Sequence, residues 1–372
     1  MIVFWIFVIV LVIAFMIITH EMGHFFAAKA VGIKAETFSI GFGPEIVGWT
    51  RGGTRYAIKW FLAGGSVKIL GMDPNEEISE EDLPHSYTRA AYWKRAVVVL
   101  AGSFVHIVIA LILLYIYFWP VGYQMPTGRI QEVLPTWEVS QGVKEPTPAA
   151  EAGLEKGDLI TSVDGVEVEN WYELQEQLNS NPGKVVTLTI DRKGETITKR
   201  VKLLDVGGEG KLGVEADLKD TYTVRSNPLT AVGQAFKALG LGTAAIVRGL
   251  GSLFSLKTLK MIFGVTPRTQ EGPMSIVGGA RLAYQAAGAG SSVFIFVLAQ
   301  LFLWLALFNL IPLPPFDGGH LLVIVIEKVF HKEIDLRKLT PIAVVVLVVL
   351  TVLALRLIFL DIFNPLKNPF IP

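Results

Sequence analysis

The residues with the clearest chemical meaning are His20-Glu21-Met22-Gly23-His24. On a helix, positions i and i+4 share one face, so the two imidazoles can hold one Zn²⁺ while the intervening Glu21 stands near a water molecule activated there. Ionisable residues at the end of an apolar helix are expensive to bury and are functional candidates by default. A catalytic zinc needs three protein ligands and one open position. The chain has no cysteine, so the third ligand must be His, Asp or Glu. No third histidine follows at metzincin spacing, which leaves His85, His106, His320 and His331 among histidines. The best donor segment is Asn309-Leu310-Ile311-Pro312-Leu313-Pro314-Pro315-Phe316-Asp317-Gly318-Gly319-His320. Its prolines break an apolar span at membrane depth, which is tolerated only where the freed backbone lines a cavity or is buried in protein. Asp317 then stands where a following helix begins, with its carboxylate offered from a rigid turn. A simple helix-capping role for Asp317, and ligation by His320 in its place, stay open at this point.

The elements that must position these residues are membrane spans. Of 372 residues 52% are hydrophobic and 18% charged, against roughly 45–50% and 25% in soluble domains. Lysine plus arginine equals aspartate plus glutamate at 33 each, so the chain has no global field of the kind that binds nucleic acid. Without cysteine, disulfides, thiolate metal sites and cysteine nucleophiles are excluded together. Residues 2–18, 96–120, 293–311 and 342–360 approach the roughly 20 apolar residues that cross a bilayer. The first has no basic n-region and no small-residue cleavage site, and reads as a retained helix rather than a leader. Lys94 and Arg95 beside the second span, and Lys328, Lys332, Arg337 and Lys338 before the fourth, mark those loops as cytoplasmic. The long segment between spans two and three and both termini are then outside.

Residues 128–214 have the composition of a soluble domain, with alternating strands at 185–190 and 196–203 and a short helix at 171–178. Asp164-Gly165 between apolar strands is a strong hairpin signal. The order from Pro148-Ala149-Ala150 through Gly153-Leu154, Gly157-Asp158 and Asp164-Gly165 resembles a bacterial PDZ domain. Such domains bind an extended peptide as an added strand, which implies docking or exclusion of a partner; a plain spacer is the alternative. Residues 139–147 depart from the compact pattern by extra residues before Pro148. Residues 229–263 have apolar positions at helical spacing and read as one or two amphipathic helices at the outer face, followed by a Gly/Pro-containing link at 264–279.

Together these motifs resemble the site-2 protease family of intramembrane metalloproteases, of the bacterial sigma-factor-regulating type, over nearly the whole chain. His20-Glu21-Met22-Gly23-His24 matches its HExxH. Asp317 matches the aspartate of its LDG motif, with Phe316 in place of leucine, and Asn309 matches an asparagine eight positions earlier. Residues 64–71 resemble its membrane-associated β-loop, and Gly272-Pro273 with Ser275-Ile276 the segment before its third core helix. The resemblance implies that His20, His24 and Asp317 hold Zn²⁺, that Glu21 is catalytic and that Asn309 holds the substrate backbone. The edge around Ser66, Val67, Lys68, Ile69 and Leu70 would pair with an unwound substrate. Ala101-Gly102-Ser103-Phe104-Val105-His106 departs from the usual AGPxxN pattern; His106 is expected to pack or hydrogen-bond in the bundle rather than ligate zinc.

The sequence therefore predicts an α-helical polytopic membrane protein of about four transmembrane helices with an inserted α+β PDZ-like domain. Residues 1–120 form the N-terminal half, 121–220 the insert, 221–292 amphipathic helices and a linker, and 293–372 the C-terminal half. The expected activity is that of a zinc-dependent metalloendopeptidase. It would cleave transmembrane segments of single-pass membrane proteins, such as an anti-sigma factor or remnant signal peptides, in the inner (cytoplasmic) membrane of a bacterium. The insert would be outside and the zinc site toward the cytoplasmic half. Two other readings compete: a catalytically dead scaffold that gathers membrane proteins through the insert, and a transporter. The latter requires broken helices in both halves, and only the third span is visibly broken.

Overall fold

The computed structural model describes residues 2–73, 75–140, 143–253, 255–269 and 272–366. Helix α1 spans Ile2–Val31. It does not end at residue 18: the stretch after Ile18 contains no proline and is rich in apolar residues and alanine, so nothing stops the helix before Gly32. There the chain takes φ 79°. Ile33 N–H donates to the Ala28 carbonyl at 2.9 Å and Gly32 N–H to that of Lys29 at 3.3 Å, the paired bonds of a Schellman cap. The two histidines thus lie inside a helix, which holds their side chains more rigidly than a fraying end would.

Strands β1 (Ala35–Arg51) and β2 (Thr54–Ile69) are both long and bent. Phe38 is opposite both Tyr56 and Val67, so residues 35–40 lie between 54–58 and 65–69, while 45–51 turns back on 54–59. Segment 65–69 is the edge of this sheet. Helix α2 (Tyr92–Ile116) packs on α1. The crossing is close because a Cβ on Gly23 would lie 2.6 Å from the Ala101 carbonyl oxygen, the small-residue contact that lets helices approach in a membrane.

Residues 122–226 form a separate compact unit. Its four-stranded sheet comprises β3 (Leu159–Val163), β4 (Val166–Glu167), β5 (Val185–Arg192) and β6 (Glu195–Lys202) in the order β6-β5-β3-β4. Helix α3 (Trp171–Asn179) lies between β4 and β5 in sequence and is capped by Asn170 Oδ1, which accepts from the N–H groups of Tyr172 and Glu173. Asp164 and Gly165 both have positive φ, 50° and 78°, as a two-residue type I′ hairpin demands. Ile160, Leu174, Leu188 and Ile190 are fully buried, each such side chain stabilising the unit by about 1.5–3 kcal/mol. The extra residues before Pro148 form a hairpin of Thr136–Ser140 and Val143–Pro146; Gln141 and Gly142 at its tip lie outside the described residues.

The chain returns through α4 (Pro228–Leu253), α5 (Ile276–Ala289), α6 (Ser291–Asn309), α7 (Asp317–Phe330) and α8 (Thr340–Phe363). Five helices among the described residues, not four, are long and apolar enough to cross a membrane, and α4 is the additional one. Its amphipathic pattern marks a packing face: Ala231 and Ala235 are buried, Gly242 meets Gln300 and Leu303, and the helix lies against α2 and α6. Ser275 Oγ caps α5 by accepting from Val277 and Gly278 N–H. Helix α7 is tied to α2 by a buried ion pair, Arg95 Nη1 to Glu327 Oε2 at 2.6 Å.

Candidate metal and catalytic centre

Helix α6 ends at Asn309, and the proline-containing turn that follows delivers Asp317 as the first residue of α7. The two glycines after Asp317 make this possible. A Cβ on Gly318 would collide with the Leu310 carbonyl oxygen, and one on Gly319 would lie 2.5 Å from the Pro314 nitrogen. Phe316, not Asp317, occupies the capping position, and no side chain caps this helix. The Asp317 carboxylate is directed instead at the histidines of α1.

His20 Nε2 and His24 Nε2 are 3.1 Å apart, and Asp317 Oδ2 lies 3.1 Å from the first and 3.3 Å from the second. Ligands about 2.0–2.1 Å from a tetrahedral zinc are separated by about 3.3–3.4 Å, so the three atoms already form nearly one face of such a tetrahedron. His24 Nδ1–H donates to the Val98 carbonyl at 2.8 Å, which leaves the lone pair on Nε2. Asp317 Oδ2 is buried and receives no hydrogen bond. Lone-pair atoms converging in a buried place suit a bound cation, and two imidazoles with a carboxylate are a zinc donor set. The residues fit the metal. Among the described residues these are the one group of three or more such side chains able to hold an ion; His320, one turn beyond Asp317, does not join it, and neither does His106.

Room for the imidazoles comes from α2. A Cβ on Gly102 would lie 2.5 Å from His24 Nε2 and 2.6 Å from His20 Cε1. Sequence reasoning missed both Gly102 and the Val98 carbonyl; the available signal was a glycine in the apolar span, which is costly there unless something must approach closely. His106 is fully buried, its Nε2–H donates to the Met16 carbonyl at 2.8 Å, and its ring is 5.0 Å from that of His20.

A cavity of about 410 Å³ opens on His20, Glu21, His24 and Asp317, with Val67, Ile69, Asn309 and Phe316 also in its wall. Glu21 Oε2 accepts from Val67 N–H at 2.9 Å. Asn309 Nδ2 donates to Leu305 O at 3.1 Å, and an amide has a second donor and an acceptor besides. Of the five residues expected along the substrate edge, Val67 and Ile69 line the cavity. The Ser66 hydroxyl is bonded to that of Ser39 and Lys68 pairs with Glu36 and Glu76. Leu70 has both backbone groups bonded, to Lys34 O and from Tyr87 N–H.

Such a donor set, with a carboxylate beside it inside a group of apolar helices, defines a membrane-embedded metalloprotease as its class. Residues 8–354 match the family described as Peptidase family M50. A relative from Brucella suis biovar 1 is 32% identical over 340 residues, 86% of this chain and 84% of its own. The zinc metalloprotease Rip1 of Mycobacterium tuberculosis is 31% identical over 395 residues, covering 94% of each chain. Rip1 of Mycolicibacterium smegmatis is 31% identical over 387 residues, with 94% of each chain covered. A solved PDZ domain of an SdrC-like protein from Listeria monocytogenes aligns with 26% of this chain and 93% of its own, at 22% identity and a TM-score of 0.19. The chain belongs to peptidase family M50, the site-2 proteases. It is a multi-pass membrane metalloprotease that uses zinc and acts on membrane-protein substrates within the bilayer.

Proposed function

We propose that His20, His24 and Asp317 are the zinc ligands, that Glu21 is the general base and acid, and that the 65–69 edge with Asn309 holds the substrate. The zinc supplies activation of the attacking water and polarisation of the scissile carbonyl. Glu21 accepts the proton of that water and passes one to the leaving amine. A transmembrane substrate helix has its carbonyls bonded within itself, so it must unwind locally before attack, and in lipid the freed groups need partners. In a strand the N–H and C=O of alternate residues face the same side. The side on which Val67 N–H meets Glu21 is therefore the side to which an extended substrate would add as a strand. Asn309, with one donor and its oxygen to spare, would hold the next stretch of substrate backbone.

The substrate is a single-pass membrane protein, an anti-sigma factor trimmed by an earlier protease or a remnant signal peptide. The placement of Lys94, Arg95, Lys328, Lys332, Arg337 and Lys338 supports an inner-membrane orientation with those loops cytoplasmic and the 122–226 unit outside. That unit would dock or exclude a partner as a PDZ-like module. The observation carrying this reading is the triangle of His20 Nε2, His24 Nε2 and Asp317 Oδ2 beside Glu21. The test is comparative proteomics of membrane fragments in cells carrying the parent or Glu21→Gln. Transmembrane remnants should accumulate with the variant, and indistinguishable profiles would refute the proteolytic role.

A further inference from the structure

Helices α1 and α2 run past one another so that each ligand histidine meets a different level of α2. His24 meets Val98, whose carbonyl takes its Nδ1 proton at 2.8 Å. His20 lies beside Gly102 and His106, one and two turns further along the same face of α2. His24 thus has a partner behind the metal site. His20 has none: its Nδ1 is buried with no hydrogen-bond partner. With Nε2 turned to the metal position, Nδ1 carries the proton and is a donor left over.

His106 has the opposite deficit. Its Nε2 faces the Met16 carbonyl at 2.8 Å, an acceptor only, so Nε2 carries its proton. Its Nδ1 is then a lone pair, and it too is buried with no partner. One unsatisfied donor and one unsatisfied acceptor therefore sit on rings whose centres are 5.0 Å apart and tilted by 46°, within the span of one bridging water or a modest turn of either ring. Phe302, edge-on to His106 at 5.3 Å, limits how far that ring can swing away.

We propose that His106 is a positioning residue for the zinc site, its Nδ1 accepting the His20 Nδ1 proton directly or through one water and so fixing the tautomer and orientation of His20. Partners of this kind behind a ligand imidazole raise its basicity, and losing them lowers metal affinity about 10–100-fold. The proposal rests on His20 being a ligand, so its test must separate the two.

The measurement is zinc affinity of the full-length, detergent-solubilised protein by competition with a chromogenic chelator, for the parent, His20→Ala, His106→Gln and His106→Phe. Glutamine can both donate to the Met16 carbonyl and accept from His20; phenylalanine fills the ring volume and does neither. The expected result is an affinity for His106→Gln within about 3-fold of the parent and a 10–100-fold loss for His106→Phe. A role in packing alone predicts the reverse order. Parent-like affinity in His106→Phe, or a larger loss in His106→Gln than in His106→Phe, overturns the proposal. If His106→Phe does not fold, His106→Met replaces it, as a flexible apolar side chain that fits irregular space, and is judged by the same criterion. Unchanged zinc binding by His20→Ala would instead overturn the ligand assignment.

Discussion

Val67 N–H donates to Glu21 Oε2 at 2.9 Å, so the carboxylate between the two histidines proposed as ligands is held by the strand edge proposed to receive a substrate. The proposed base and the backbone proposed to receive the substrate are thereby fixed in one frame, anchored on α1 at one end and on β2 at the other.

Because Glu21 reaches for the strand and not for the metal position, Glu21→Gln should keep its full zinc content. Cleavage should fall about 10²–10⁴-fold, the usual worth of a general acid–base group. Metal analysis alongside a cleavage assay checks both halves. A variant that loses zinc along with activity would show that the carboxylate is a ligand.

Gly102→Ala places a methyl 2.5 Å from His24 Nε2 and 2.6 Å from His20 Cε1. His24 is pinned by its bond to Val98, so the clash cannot be relieved by a simple swing. Zinc affinity should drop by at least about 10-fold, by analogy with the loss of groups that orient a ligand. Normal affinity in this variant would contradict the close helix approach described above.

The Arg95–Glu327 pair is buried on both sides, and Glu327 Oε1 also accepts from Ile334 N–H at 2.9 Å. Removing one partner leaves the other charge buried and unpaired. Glu327→Ala should therefore destabilise by about 3–5 kcal/mol, whereas Arg95→Met combined with Glu327→Leu should recover most of it. Thermal melting of the purified protein distinguishes these outcomes, and a melting temperature unmoved by Glu327→Ala would rule the account out.

In the inserted unit, burial alone would raise the pKa of the Asp158 carboxyl. The paired hydrogen bonds from Arg192 and the one from Glu155 N–H outweigh it and hold the group below the usual carboxylate range. A folded value lower than the unfolded one, about 3.9, gives stabilisation that is complete above that value and is lost as pH falls through the folded one. Amide protection across residues 148–163 should thus decline as pH falls below about 4. Asp158→Asn should lack that decline, and Arg192→Ala should lower protection near neutral pH. Hydrogen exchange on the full-length protein reads all three; a parent profile flat across that range would remove the basis for the pair.

The chain contains no cysteine, so single cysteines can be introduced directly. Those within residues 76–82 should react only when a membrane-impermeant reagent has cytoplasmic access, and those within 173–181 from outside, as the Lys/Arg placement requires. The reversed pattern would invert the orientation proposed for the active site.

What the sequence determined by itself was local. Two histidines four apart share a helix face by the geometry of the helix, Asp164-Gly165 makes its hairpin because both positions need positive φ, and a proline-rich interruption in an apolar run must lie where backbone can be satisfied. The continuation of α1 past Ile18 was equally local, but a hydropathy reading ends where polar residues begin, whereas the helix ends only where Gly32 allows it. Tertiary structure decided the rest. Asp317 rather than His320 meets the histidines because Gly318 and Gly319 let the turn fold back on α7, and Glu21 is tied to Val67 although 46 residues separate them. The amphipathic pattern of residues 228–253 carries no information about partners, and only the tertiary structure shows that one face of this helix packs against α2 and α6. Gly102 and His106 are single residues in an apolar span whose meaning depends on what stands opposite, and hydrophobic periodicity constrains which face a helix buries but not which side chain it meets there.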